Sequence, residues 1–315
     1  MLISVFDTTI CNNNLGNQII MDSVYQYLYE QNPEAFFVKL PYLEGICNTS
    51  INYIKSSDLV FFGGTNSFSS QMETYKQWGI DKDNMDDIKN VISMGMGWWQ
   101  YQDKADGYTQ ELLHKVLSHS YYHSVRDSYT KKKLNEIGID NVIVTGCPTM
   151  WELTKEHCKE ITEYKSESVL LTLTDYYKHP SDGELINILK KNYKKIYFWI
   201  QGSGDLEYIK KFNIDYEIIP PNTNALNKFL DSDISVDYVG TRLHAGIRAL
   251  QYKKRTIIIG VDNRAIEMGK DFNLNVLDRD HISELDDLIN SNFKTNIKLP
   301  VDNIMKWKLQ FEKNS

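Results

Sequence analysis

The chain has 315 residues, 42% of them hydrophobic and 24% charged, with a formal net charge of −7 at pH 7. That is enough chain for two domains with separate cores, while the acidic balance argues against a general nucleic-acid binder and no apolar run reaches the roughly 20 residues of a membrane-spanning helix. Cys11, Cys47, Cys147 and Cys158 show no CxxC spacing, so neither a zinc knuckle nor a disulfide framework is indicated, and with a start that lacks a signal-peptide pattern this fits a reduced, cytoplasmic setting.

The first predicted strand is Leu2 to Phe6. An Asn- and Gly-rich turn at Asn14, Gly16 and Asn17 opens a helix with Ile20, Val24, Tyr27 and Leu28 on its inner face. Such a turn after the first strand of an α/β domain can approach a ligand closely, but it is not a GxGxxG fingerprint and implies no dinucleotide. Strands follow at Phe36 to Leu40 and Leu59 to Phe62, the latter running into GGTNSFSS. Gly63 and Gly64 allow a tight turn, and Thr65 and Asn66 offer donors near a helix start, a cradle for phosphate or carboxylate. The Gly-Lys-Ser/Thr ending of a nucleotide P-loop is missing, so ATP binding is unsupported.

Val91 to Met94 reads as a strand ending in a glycine turn at Gly97. The aromatics after it, Trp98, Trp99 and Tyr101, suit either a sugar-stacking platform or the core. His114 and His119 are placed on a helix and His123 in a strand, a poor arrangement for zinc, so no metal is expected. The strand ending at Val125 delivers Arg126 and Asp127 to a sheet edge; a helix follows with Tyr129, Leu134 and Ile137 inward and Lys131 to Lys133 as a solvated face. Val142 to Val144 is the next strand.

A polar stretch from Trp151 to Ser168 marks a domain boundary. Strand–helix alternation then resumes: strand Val169 to Leu173, helix Asp182 to Asn192, strand Ile196 to Ile200, turn QGSGD, a helix to Lys211, strand Tyr216 to Ile219 and helix Thr223 to Leu230. Alternation of this kind predicts parallel sheets with helices on both faces. The richest stretch is Tyr238 to Arg264. Gly240-Thr241 makes a turn, with Thr241 as a candidate cap, and Leu243, Ile247 and Leu250 give the following helix its buried face. Arg242 and His244 then fall in the first helical turn, beside N–H groups that lack helical partners. Thr256 to Ile259 is a β-branched strand. Asp262 and Arg264 lie just past it, on the sheet edge where ligands bind. In the tail, Ile304, Trp307 and Phe311 share a helical face among lysines, a pattern that serves either peripheral membrane contact or packing across two domains.

The block GTRLHAGIRAL followed by TIIIGVDNRAIEM, with SVRDSYT and GGT upstream, resembles the polysaccharide pyruvyl transferase family. The resemblance implies two Rossmann-like domains facing a cleft, in the glycosyltransferase-B arrangement. Residues 1–160 would form the N-terminal, acceptor-side domain, 161–300 the C-terminal, donor-side domain, and 301–315 a C-terminal helix. It implies transfer of pyruvate from phosphoenolpyruvate onto two hydroxyls of a sugar, with release of phosphate and without a bound cofactor. Arg126, Arg242, Leu243, Asp262 and Arg264 would hold the donor, and His244 would move protons. A lipid-linked sugar at the inner face of the membrane is one acceptor it suggests. The chain departs from the family's pattern with Cys147 in place of Asp, Arg264 in place of Lys, and a less glycine-rich turn at Gly63-Gly64. The rivals are a nucleotide-sugar glycosyltransferase of the same architecture and a non-catalytic sugar-binding partner.

Overall fold

Parallel strand pairing organises the chain. The computed structural model describes residues 1–312, so positions 313–315 of the predicted tail helix lie outside it. The chain divides into two compact units, one of residues 1–12, 20–151 and 299 onward, the other of residues 13–19 and 152–298. The Asn14 turn therefore belongs to the second unit, although it precedes nearly all of the first in sequence.

In the first unit, β1 (Leu2–Asp7), β2 (Phe36–Pro41), β3 (Leu59–Gly63) and β4 (Val91–Met94) form a parallel sheet in the order β2-β1-β3-β4. β5 (His123–Val125) and β6 (Val142–Val144) pair in parallel, and a bridge between Met96 and Val125 ties β5 to the chain leaving β4. The strands LVFFG and VISM are wholly buried, as runs covered on both faces should be. The helices are α1 (Gly16–Gln31), α2 (Asn48–Ser56), α3 (Gly107–Val116) and α4 (Ser128–Asn135). α2 has no counterpart among the predicted elements, because only Ser50 and Ile54 of it are buried and no apolar period marks it.

Two expectations are corrected here. Lys133 is not solvated: it is 3% exposed, and its ammonium donates to the carbonyls of Asp103 (2.8 Å) and Gln102 (3.3 Å) while pairing with Glu136 (2.9 Å). α4 is short, and this position faces the loop after β4 instead of water. His119 lies beyond the end of α3. Its ring and those of His114 and His123 bond main-chain groups. The terminal helix Val301–Leu309 buries Ile304 and Trp307 within the first unit, where Trp307 meets Tyr27, Trp151, Phe61 and Phe311.

His123 gives this unit an acid sensitivity. Ser93 N–H donates to its Nδ1 (3.2 Å), so the proton sits on Nε2, which donates to Ser118 O (2.9 Å). Burial pushes its pKa down to about 4. The folded state thus holds the ring neutral, and its stabilisation is full above the unfolded value near 6.5 and falls as pH drops towards 4. We expect the wild type to lose roughly 2 kcal/mol between pH 6.5 and 5 from this group, and a His123→Gln variant to lack that share of the slope. Urea midpoints across this range test it, and parallel slopes in the two proteins would refute it.

In the second unit, β7 (Ser168–Thr172), β8 (Lys195–Trp199), β9 (Glu217–Ile219), β10 (Val236–Gly240), β11 (Thr256–Gly260) and β12 (Val276–Asp278) form one parallel sheet in the order β12-β11-β10-β7-β8-β9. Counted within the unit this is 3-2-1-4-5-6, the strand order of a Rossmann fold, with its switch point between β7 and β10. The helices are α5 (Lys155–Lys159), α6 (Ser181–Asn192), α7 (Asp205–Ile209), α8 (Thr223–Leu230), α9 (Leu243–Gln251), α10 (Asn263–Phe272) and α11 (Leu285–Asn290). Arg255 and Asp237, both buried, pair at 2.8 Å, and Arg255 also donates to the carbonyls of Ile289 and Ser291, fixing the chain after α11.

Candidate functional site

At the switch point the connections from two neighbouring strands leave in opposite directions, which opens a crevice at their C-terminal ends. The segments that leave β7 and β10 are stitched together there. Thr241 N–H donates to Thr172 O (3.0 Å), and the hydroxyls of Thr174 and Thr241 bond at 2.9 Å. Thr241 is therefore engaged across the crevice and does not cap α9, contrary to the sequence expectation. Arg242 occupies the cap position with extended backbone (φ −97°, ψ 102°) and gives the helix no side-chain cap. It sits one residue before the helix, not within its first turn. Leu243 and His244 are the first two helical residues, both buried, with His244 6% exposed.

The Arg242 side chain turns inward and is 2% exposed. Its Nε donates to Leu173 O (2.8 Å), and its Nη2 meets Asp175 (3.1 Å) and, still more closely, Asp205. The Asp205 carboxylate also accepts from Gly202 N–H (2.8 Å) and Gln201 N–H (3.2 Å). Burial pushes the Asp205 carboxyl up, opposed by the Arg242 guanidinium and the Gly202 N–H. A Cβ at Gly202 would lie 2.4 Å from Arg242 Nη2, so a side chain there would displace the guanidinium. The Asn14 turn closes on the same loop: Leu15 N–H donates to Gln201 O (2.9 Å), and Asn14 Oδ1 accepts from Gln201 Nε2 (2.9 Å) and Gly16 N–H (3.0 Å). Asn17 N–H completes the turn on Asn14 O (3.0 Å).

Asp262 caps α10 by accepting from Arg264 N–H (3.0 Å) and pairs with the Arg264 guanidinium, whose Nε lies 2.8 Å from Oδ2. Burial opposes the charge on Arg264, but Asp262 and then Tyr176 outweigh it, so its pKa is raised. The Arg242 guanidinium lies 4.8 Å over the Tyr176 ring. Tyr176, exposed at one face, is thus the common neighbour of both arginines. The structure brings Arg242, Asp262 and Arg264 into one connected group. It corrects the idea of two cations held ready for an anion, because Asp175, Asp205 and Asp262 already face them. Asp175, Tyr176 and Asp205 are absent from the sequence-based site. No local signal marked them: LTDYY leaves a strand that becomes a neighbour of β10 only through the strand order, and the need of Arg242 for carboxylates follows from its burial.

The remaining predicted residues gather in the first unit. Gly64 N–H donates to Met94 O (2.9 Å), and Gly97 N–H to Thr65 O (2.8 Å), which draws the loops after β3 and β4 together beside Gly63. Arg126 is fully buried and donates from Nη1 to Asn66 Oδ1 (2.7 Å). A Cβ on Gly97 would stand 2.3 Å from Asn66 Oδ1 and 3.3 Å from Arg126 Nη1, so only glycine admits this contact. Asp127 caps α4 through Thr130 (2.7 Å). Trp98 is core, whereas Tyr101 is 55% exposed. Among the described residues, no group of three or more His, Cys, Asp or Glu is disposed to hold a metal ion, and no helix is long and apolar enough to cross a membrane.

Residues 14–263 match the sequence profile of the polysaccharide pyruvyl transferase family. The chain belongs to this family. The match takes in Arg126, Arg242, His244 and Asp262 and ends one residue before Arg264. No curated protein matches this pyruvyl transferase family member in sequence. Among solved structures it is similar to S. aureus MnaA in a co-structure with UDP, at 11% identity and a TM-score of 0.54, covering 100% of this chain and 98% of that one. That likeness shows the fold, an α/β protein of the glycosyltransferase-B type with parallel sheets and helices on both faces. E. coli heptosyltransferase WaaC with ADP-2-deoxy-2-fluoro heptose aligns at 12% identity and a TM-score of 0.34, over 82% of this chain and 88% of that one. LpCGTa in complex with UDP aligns at 10% identity and a TM-score of 0.39, over 97% and 86%.

Proposed function

We propose that this family member moves pyruvate from phosphoenolpyruvate onto two hydroxyls of a sugar unit of a polysaccharide or its precursor, forming a ketal and releasing phosphate. The observation that carries the reading is His244 in the first turn of α9, at the switch point of a Rossmann sheet and two residues after Arg242 in the chain. The atoms balance simply. The donor's methylene carbon gains a proton and becomes methyl, its neighbouring carbon bonds two sugar oxygens, and the C–O bond to phosphate breaks. Of the two hydroxyl protons, one ends on the methyl carbon and one leaves with phosphate. A single imidazole can take up and deliver a proton in such a sequence.

Charge sets the donor's approach. Asp175, Asp205 and Asp262 outnumber Arg242 and Arg264 by one, so the side-chain cluster alone does not attract an anion. In this reading the N-terminal end of the α9 dipole, where the Arg242 side chain forms no cap, supplies the missing positive field, and Arg264, the more exposed of the two arginines, exchanges its Asp262 contact for a donor oxygen. We retain Arg126, fully buried in the first unit, as a further candidate for donor binding. The reaction is assigned to the cytoplasm with a lipid-linked acceptor at the inner membrane face, and no cofactor is invoked. Incubation with phosphoenolpyruvate and a panel of free, nucleotide-linked and lipid-linked sugars, with products weighed by mass spectrometry, tests it. A sugar product 70 Da heavier, about the mass added by pyruvate in ketal linkage, with equimolar phosphate is the expected result. Release of a nucleotide instead would assign the chain to nucleotide-sugar transfer, and no turnover with any sugar would leave a binding protein.

A further inference from the structure

We propose that the loop after β4 is a carbohydrate platform, on which Trp99 and Tyr101, backed by Tyr75 and Tyr129, stack a pyranose ring of the acceptor; this names the acceptor subsite of the reaction proposed above and rests on it for that role.

The loop is held from several sides. Trp98 anchors it in the core, with its N–H on Thr130 Oγ1 (2.9 Å) and its indole Nε1 on Gln102 Oε1 (3.1 Å). Trp99 N–H donates to Phe68 O (2.7 Å), and Gln102 N–H to the Tyr129 hydroxyl (2.8 Å). The buried Lys133 ammonium holds the carbonyls of Gln102 and Asp103 from beneath. Gln100 is forced to φ 56°, a left-handed conformation that disfavours any residue with a side chain. What this rigid support presents is aromatic. Tyr101 is 55% and Tyr75 38% exposed, and Trp99 is half-buried. The Trp99 and Tyr75 rings stack at 3.8 Å and 22°, and Tyr101 meets Tyr129 edge-on at 5.2 Å. Tyr75, Trp99 and Tyr101 lie outside the core cluster that holds Phe68, Trp78 and Trp98, while Tyr129 packs against it.

Preorganised, water-facing aromatic rings suit the C–H faces of a sugar. Such a surface is neutral, which matches a saccharide better than the anionic donor. Its position also fits. Gly97 touches Asn66 and Arg126, and Trp99 follows two residues later, at most about 7.6 Å along the chain, on the C-terminal edge where parallel sheets bind ligands.

Saturation-transfer NMR of the full chain with methyl β-glucopyranoside, methyl β-galactopyranoside and methyl N-acetyl-β-glucosaminide tests the site without turnover. At least one glycoside should bind, with affinity falling tenfold or more in Tyr101→Ala and Trp99→Ala and recovering in Trp99→Phe. Tyr101 is exposed, so its variant stays decisive if Trp99→Ala fails to fold. Binding of none of the three, or binding unchanged in Tyr101→Ala, overturns the platform. Sugar binding that depends on these rings, with no phosphate released from phosphoenolpyruvate, would sink the catalytic reading and leave the platform standing. Turnover whose acceptor KM ignores both substitutions would do the reverse.

Discussion

Replacing His244 with alanine is expected to lower phosphate release from phosphoenolpyruvate by about 10²–10⁴-fold, the usual contribution of a positioned acid–base group, while the donor's dissociation constant changes little. The imidazole is 6% exposed and sits in the first turn of α9. Its backbone stays helical in the variant, so the helix dipole proposed to act on the donor remains. His244→Gln, which keeps polarity but carries no titratable proton, should fall as far as alanine. Calorimetry for donor binding and a phosphate assay at saturating acceptor separate the two quantities. Near-normal turnover in either variant removes His244 from the chemistry.

The second large effect is on stability. Arg242→Ala strands the Asp205 carboxylate, whose side chain is fully buried, with its cation gone. Removing one member of a buried pair costs about 3–5 kcal/mol, and the urea midpoint should fall accordingly. Removing both charges in Arg242→Met/Asp205→Leu should recover part of that loss, because no unpaired carboxylate is left buried at 205, while the Gln201 and Gly202 N–H groups lose their acceptor and Asp175 its cation. The double variant has further use: it keeps the fold without the guanidinium, so its donor affinity reports what Arg242 contributes to binding apart from structure. An unchanged midpoint in Arg242→Ala would mean that the pair is not buried as described. Arg264→Ala is the contrast. Its side chain is 24% exposed and the Asp262 it leaves behind still caps α10, so the substitution should cost less stability than Arg242→Ala and act mainly on donor affinity.

The strands were legible because strands covered on both faces are apolar runs of four to six residues bounded by turn residues; LVFFG, VISM and TIIIG announce themselves. α2 was not, because its burial is confined to two side chains. Lys133 was misread for a related reason. A lysine in a run of three looks solvated, and nothing local reveals that one of the three lies under a loop thirty residues earlier in the chain.

By itself the sequence determined the alternation of strands and helices, the family, and the placing of Arg242, His244, Asp262 and Arg264 just beyond two successive strands. These follow from local periodicity and short motifs, which are set by neighbours along the chain. The tertiary structure decided the strand order, and with it that β7 and β10 adjoin at the switch point. Only that adjacency brings Asp175 and Tyr176 to Arg242 and turns an apparently free cation into a buried ion pair; the contact of the Asn14 turn with Gln201, nearly two hundred residues away, is likewise a tertiary one. A charge's partner in space is fixed by which strands lie side by side, and the spacing of residues along the chain does not record that.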